Sequence, residues 1–77
     1  MDNDLITQWQ RGTMPERIAA DLAAKIQAGK LAQHDNAPLN RTLAGRWGVS
    51  DRTVSSAKRL LARHRMLTKV NNRYYVA

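Results

Sequence analysis

The chain contains no cysteine. It can therefore form no disulfide, thiolate nucleophile or thiolate metal site, which suits a reducing compartment. It also lacks any apolar run approaching the roughly 20 residues that a membrane-spanning helix needs. The amino end, MDNDLITQWQ, is acidic and polar, the opposite of a secretory signal. A soluble, cytoplasmic protein is the expectation. No Ser-His-Asp set, phosphate-binding glycine loop or acid pair presents itself, so no enzyme is expected. His34 and His64 stand far apart without thiol or carboxylate company, so neither a metal nor a cofactor is expected. At 77 residues the chain has room for one small domain. A chain of that size buries only about 60% of the surface its unfolded form exposes.

Acidic residues are almost missing from the second half. Residues 1–35 hold four bases against five acids, a net charge of −1. Residues 36–77 hold nine bases against Asp51 alone, a net of +8. An ordinary solvated surface mixes the signs; a basic half beside a neutral one is the footprint of a polyanion binder.

Asp2 or Asn3 can cap a short helical turn in which Leu5, Ile6 and Trp9 share a face. Gly12 and Pro15 punctuate, so residues 1–14 read as an N-terminal segment and 15–77 as the domain proper. With Thr13 as cap and Pro15 in the first turn, a helix follows whose apolar stripe is Ile18, Ala19, Leu22, Ala23 and Ile26. Gly29 stops it. Residues 30–38 read as a loop closed by Pro38. A second, short helix carries Leu43, Ala44 and Trp47, with Asn40 as a candidate cap. Gly48 ends it, Ser50 caps the next, and a helix over about 51–64 turns Val54, Ala57, Leu61 and His64 inward. The runs LTKV and RYYV, joined by Asn71-Asn72, predict a hairpin over 67–76, because asparagine tolerates the positive φ of a type I′ turn. The fold class is mainly α with a small β-hairpin: a winged helix-turn-helix, with a three-helix core and a two-stranded wing.

The helix-turn-helix signature is Ala44, which lets two helices approach, then Gly48 at the sharp turn, then Val54 between the helices. Around it the sequence resembles the DNA-binding domain of the GntR family of bacterial regulators. The matching positions are Ile18-Ala19 with Leu22, Gly29-Lys30-Leu31, Pro38, Arg41, Leu43-Ala44, Gly48-Val49-Ser50, Thr53-Val54, Ala57, Leu61 and Tyr75-Val76. There are departures. Asp51 stands where the family has arginine after Val-Ser, and Ser55 stands where it has a second arginine. Leu39 replaces a serine cap, and Arg65 replaces the glycine after the third helix. The wing has Asn71, Asn72 and Arg73 in place of a Gly-x-Gly. The resemblance implies the scaffold and duplex DNA binding, but not the family's base-reading specificity.

On a helix starting at Ser50, positions 51, 52, 55, 59, 62 and 63 lie opposite Ala57 and Leu61. A helix in the major groove needs short side chains near its start so that its backbone can approach base edges. Ser55 and Ser56 meet that need, and Arg52 and Arg59 are long enough to reach guanine edges or phosphates. Asp51 has two readings: a carboxylate favoured by the helix dipole, or an acceptor for cytosine N4. Ser50 and Thr53 can cap the helix and donate to phosphate. Arg41 matches a backbone-contacting arginine of the family, which implies a phosphate contact. Asn71, Asn72 and Arg73 form the wing tip, and Arg73 suits a narrow minor groove. Lys58, Arg63 and Arg65 read as general field, and Trp47 and Trp9 as core.

The leading function is sequence-specific double-stranded DNA binding by a transcriptional repressor, with no effector site for a small molecule in this chain. Either an excised domain or a minimal protein fits, and two copies on a palindromic operator would supply affinity. A second reading keeps DNA but makes the chain an accessory factor for plasmid partition, replication or site-specific recombination. A third is a protein- or RNA-interaction module, to which an exposed Leu5-Ile6-Trp9 turn would contribute.

Overall fold

The computed structural model describes residues 3–77, so Asp2, one of the two caps suggested for the first helix, lies outside the described residues. Its elements run α1 (Asn3–Gln10), α2 (Met14–Gln27), α3 (Asn40–Trp47), α4 (Asp51–Arg63), β1 (Leu67–Val70) and β2 (Arg73–Val76). The architecture is a winged helix-turn-helix, with one helix more than the three-helix core expected. The amino-terminal apolar turn is a full helix of eight residues. Ile6 and Trp9 are buried in the common core and Leu5 is half-buried against it. The Trp9 ring meets the His64 ring edge-on at 5.2 Å. His64, expected on the inward side of its helix, is instead an exposed C-cap whose ring lies against this tryptophan.

Helix α2 starts on a reciprocal capping box. The Thr13 hydroxyl accepts from the Glu16 amide at 3.4 Å, and the Glu16 carboxylate accepts from the Thr13 amide at 2.8 Å. The expected stripe is buried at Ile18, Ala19, Leu22 and Ala23, with Ile26 half-buried, and Ala20 widens it. Asp21 and Lys25 pair on the outer side at 3.1 Å. The helix ends at Gln27, and Gly29 takes the left-handed conformation just beyond it.

Leu39 is the N-cap of α3 and makes no side-chain capping bond. Asn40 is therefore not the cap its position suggested; it is the first helical residue, and its side chain reaches another helix. Gly48, at φ 68° and ψ 38°, closes α3, with the Val49 amide bonded back to the Ala44 carbonyl at 3.0 Å. Ser50 caps α4, and Val54, Ala57 and Leu61 are fully buried against α2 and α3. Ile18, Leu22, Leu43, Leu61 and Val54 form the centre of the core. Each contributes roughly 1.5–3 kcal/mol through burial.

The hairpin has the expected register, with Leu67 opposite Val76, Thr68 opposite Tyr75 and Lys69 opposite Tyr74. Asn71 and Asn72 take φ of 50° and 68°, as a type I′ turn requires. Leu67 and Val76 are buried, which turns the face they share with Lys69 and Tyr74 towards the helices. The loop 30–38 is irregular, but it is not idle. The His34 backbone amide donates to the Val76 carbonyl at 2.8 Å, that of Val76 to the Asp35 carbonyl at 2.8 Å, and that of Ala37 to the Tyr74 carbonyl at 2.9 Å. It covers the free edge of β2, removing backbone groups that would otherwise be unpaired. Among the described residues no helix is long and apolar enough to cross a membrane.

Candidate nucleic-acid interface

The first turn of α4 carries four of the residues singled out by the sequence. The Ser50 hydroxyl accepts from the Thr53 amide at 3.2 Å and lies 3.1 Å from the Thr53 hydroxyl, so the two side chains share one small network at the helix start. Asp51 and Arg52 are exposed. Asp51 sits where the unpaired amides of the helix start favour negative charge.

One turn further on, the two serines divide. The Ser56 hydroxyl donates to the Arg52 carbonyl at 3.1 Å, so its hydrogen is committed to its own helix. The half-buried Ser55 hydroxyl accepts from the Asn40 amide at 2.9 Å and keeps its own hydrogen for an outward acceptor. That bond ties the start of α3 to the middle of α4. Arg41, the next residue along, is exposed beside this tie.

Between α4, the start of α3 and the inward face of the hairpin lies an open crevice of about 710 Å³. It brings together Ser55, Arg59, Asn72 and Arg73, which the sequence had placed in separate elements. It also recruits Asn40, Lys58 and Lys69. The Lys69 ammonium rests over the Tyr74 ring at 5.8 Å from its centroid, within the range of a cation–π contact. Asn71, at the tip, does not line the crevice, and neither do Arg41, Ser50, Asp51, Arg52, Thr53 or Ser56.

Lys58 does not fit the reading as part of a general basic field. It is 6% exposed, the one buried charged side chain among the described residues. Burial pushes its ammonium below the usual lysine range. The signal was in the spacing: position 58 is four residues after Val54 and three before Leu61, on the inward stripe. The partners of the nine bases after residue 35 are equally telling. The ion pair between Asp21 and Lys25 involves none of them. Asp51 is the one acidic residue in that half of the sequence, so their field is largely positive. Trp47 packs half-buried against the core, its indole N–H buried without a hydrogen-bond partner among the described residues. No cluster of histidine, aspartate and glutamate among the described residues is arranged to hold a metal.

No protein-family model and no curated protein matches the sequence. Solved structures do. The N-terminal domain of AraR, determined in complex with a mutant ORR3, superposes with a TM-score of 0.79 over 86% of this chain and 96% of that one, at 22% identity. That likeness shows the fold. YtrA from Sulfolobus acidocaldarius, a GntR-family transcription factor, matches with a TM-score of 0.74 and 31% identity over 80% of this chain. YydK from Bacillus subtilis subsp. subtilis strain 168 matches with a TM-score of 0.74 and 24% identity over 84% of this chain. The chain spans 66% of the length of YtrA and 29% of that of YydK. The capped helix-turn-helix, the hairpin register and the identity to YtrA agree: this chain is a winged helix-turn-helix DNA-binding domain of the GntR family of transcription factors.

Proposed function

We propose that the chain binds duplex DNA at a specific sequence and acts as a transcriptional repressor by occupying its operator, with residues 15–77 as the binding unit. Helix α4 lies in the major groove, entering by its first turn. The hairpin follows the backbone or the adjacent minor groove, led by Asn71, Asn72 and Arg73. The observation that carries this reading is the outer side of α4. Exposed Asp51 and Arg52 stand beside serines short enough for close approach, and Arg59 continues into a crevice without a single acidic residue in its lining.

Arg52 and Arg59 reach base edges or phosphates, Ser55 donates its free hydrogen, and Arg41 meets a phosphate at the start of α3. Ser50 and Thr53 hold the first turn and offer their remaining hydroxyl hydrogen to the backbone. Ser56 serves by being small. Two copies on a palindrome would combine their affinities, each recognition helix reading one half-site.

Selection of bound duplexes from a random library at two salt concentrations tests the proposal. The expected result is a recovered consensus whose half-site is bound more tightly than scrambled DNA at both salts. Recovery of unrelated sequences, or affinity that vanishes equally for all of them as salt rises, would overturn sequence-specific binding. Placing the recovered site over a promoter should lower its output; unchanged output would overturn the repressor role.

A further inference from the structure

We propose that Lys58 is a phosphate ligand: in the crevice between α4 and the hairpin it receives one DNA backbone phosphate, flanked by Arg59 and Lys69. The inference rests on the DNA-binding reading above and deepens it.

A lysine on the inward stripe of a helix is unusual. Its stem is buried, but its ammonium is not among the side-chain atoms buried without a partner, so the charge reaches the open crevice. Here the residue is 6% exposed and has no hydrogen bond or ion pair among the described residues. An apolar side chain of similar length would fill the same place but bring no charge to the crevice. What distinguishes the place is where the side chain leads. Lys58 lines the crevice, and so do two further cations from two elements: Arg59 on α4 and Lys69 on β1. No carboxylate lines it. Three like charges around one open cleft repel one another until an anion enters, so the cleft is complementary to an acceptor rich in charge and poor in bulk. The lowered proton affinity of Lys58 agrees, since an arriving anion would restore it.

The polar rim fits a phosphate as well. Asn40 and Ser55, already bonded to each other at 2.9 Å, line the same cleft. Lysine binds phosphate as a point charge and arginine as a fork. Lys58 would therefore set how deeply the phosphate sits, while Arg59 holds its free oxygens from the rim.

The test compares wild type with Lys58→Met and Lys58→Arg. Binding to the selected duplex is measured across a salt series, with melting curves to confirm folding. One lost phosphate contact lowers the salt slope by about 0.9. Lys58→Met is expected to show that drop, and Lys58→Arg to keep the wild-type slope. A scan of single neutral methylphosphonates through the duplex, done with wild type, needs no variant. One position should reproduce the slope of Lys58→Met, and adding that variant to the same modified duplex should cost nothing further. An unchanged slope in Lys58→Met, or no position that fails to add, would overturn the proposal while leaving DNA binding intact. Inorganic phosphate alone forms the third arm, followed by nuclear magnetic resonance of the Lys58 side chain. A response to inorganic phosphate with none to duplex would assign the cleft to a free anion and overturn the backbone assignment. Failure of wild type to bind any duplex would sink the parent reading instead.

Discussion

The Asn40 side-chain amide donates to the Ser55 hydroxyl across 2.9 Å, joining the first residue of α3 to the outer side of α4. The two residues are fifteen positions apart, and no other side-chain hydrogen bond described between these two helices does this work. On the proposed function, Asn40 acts as a positioning residue for Ser55, whose hydroxyl its side-chain amide holds. Asn40→Ala should cost about 0.5–1.5 kcal/mol of stability, the net worth of one hydrogen bond. At roughly 4–8 °C per kcal/mol for a domain of this size, thermal melting resolves it. The more telling measurement is affinity for the selected site against scrambled DNA. Asn40→Ala should reduce the ratio between them, and Ser55→Ala should reduce it without a further loss in the double variant. Additive losses would show that the two residues act separately.

Arg52 and Arg41 both stand exposed near a helix start, but different outcomes are expected. Arg52→Ala should cost about 1–3 kcal/mol on the selected site and relax the sequence preference at one position. Arg41→Ala should weaken all duplexes alike and lower the salt slope by about 1. Electrophoretic mobility shifts on specific and scrambled duplexes across a salt series separate the two. Equal losses on both duplexes for Arg52→Ala would make it a phosphate contact, and an unchanged slope for Arg41→Ala would remove it from the interface.

The elements were legible because each carried its own local chemistry. Pro15 and Thr13 marked the start of α2, Gly48 and Ser50 bounded the turn, and Asn71-Asn72 announced the hairpin type through their tolerance of positive φ. What the sequence concealed depends on contacts between distant residues. Asn40 looked like a cap because asparagine caps well, but Leu39 holds that place and the Asn40 side chain finds Ser55 instead. The loop 30–38 has no β signature, and only the fold reveals that it covers the edge of β2. Lys58 was misjudged for another reason. A charge count treats every base as solvated, whereas helical spacing had already put this one inward.

Arg65 occupies a position that suits glycine. It follows the C-cap of α4 at φ 61°, in the left-handed region. A side chain with a Cβ pays roughly 1–2 kcal/mol there. Glycine removes that strain but adds freedom to the unfolded chain, so Arg65→Gly should gain about 1 kcal/mol or less. Chemical denaturation should show a higher midpoint with an unchanged slope. A lower midpoint would mean that the arginine side chain makes a compensating contact.

The capping box makes α2 sensitive to acid. The Thr13 backbone amide, and then its hydroxyl, hold the Glu16 carboxyl below the usual glutamate range. Because the folded pKa is the lower of the two, the unfolded chain binds more protons as the pH falls. The stabilisation is thus complete above the ordinary glutamate pKa and is lost as the pH drops through the lower folded value. Glu16→Gln retains an acceptor for the Thr13 amide but cannot titrate. The difference in melting temperature between neutral and acid solution should shrink in this variant. An identical acid dependence would place the titrating group elsewhere.

Gly45 and Gly48, three residues apart on α3 and just beyond it, should respond to alanine with opposite signs. A Cβ built at either position meets nothing within 4 Å, so packing does not distinguish them. The backbone does. Gly45 lies inside the helix, where alanine is favoured over glycine by about 0.5–1 kcal/mol. Gly48 has φ +68°, which alanine reaches only at a cost of roughly 1–2 kcal/mol. Gly45→Ala should therefore raise the melting temperature and Gly48→Ala lower it. Gly48→Val should lower it further, since a branched Cβ is least compatible with positive φ. Because the space around Gly48 is open, the loss should appear as strain in the turn and a misaligned α4, seen as weaker specific DNA binding at temperatures where the variant is still folded. Equal melting of Gly48→Val and wild type would mean that the turn between α3 and α4 does not have this geometry.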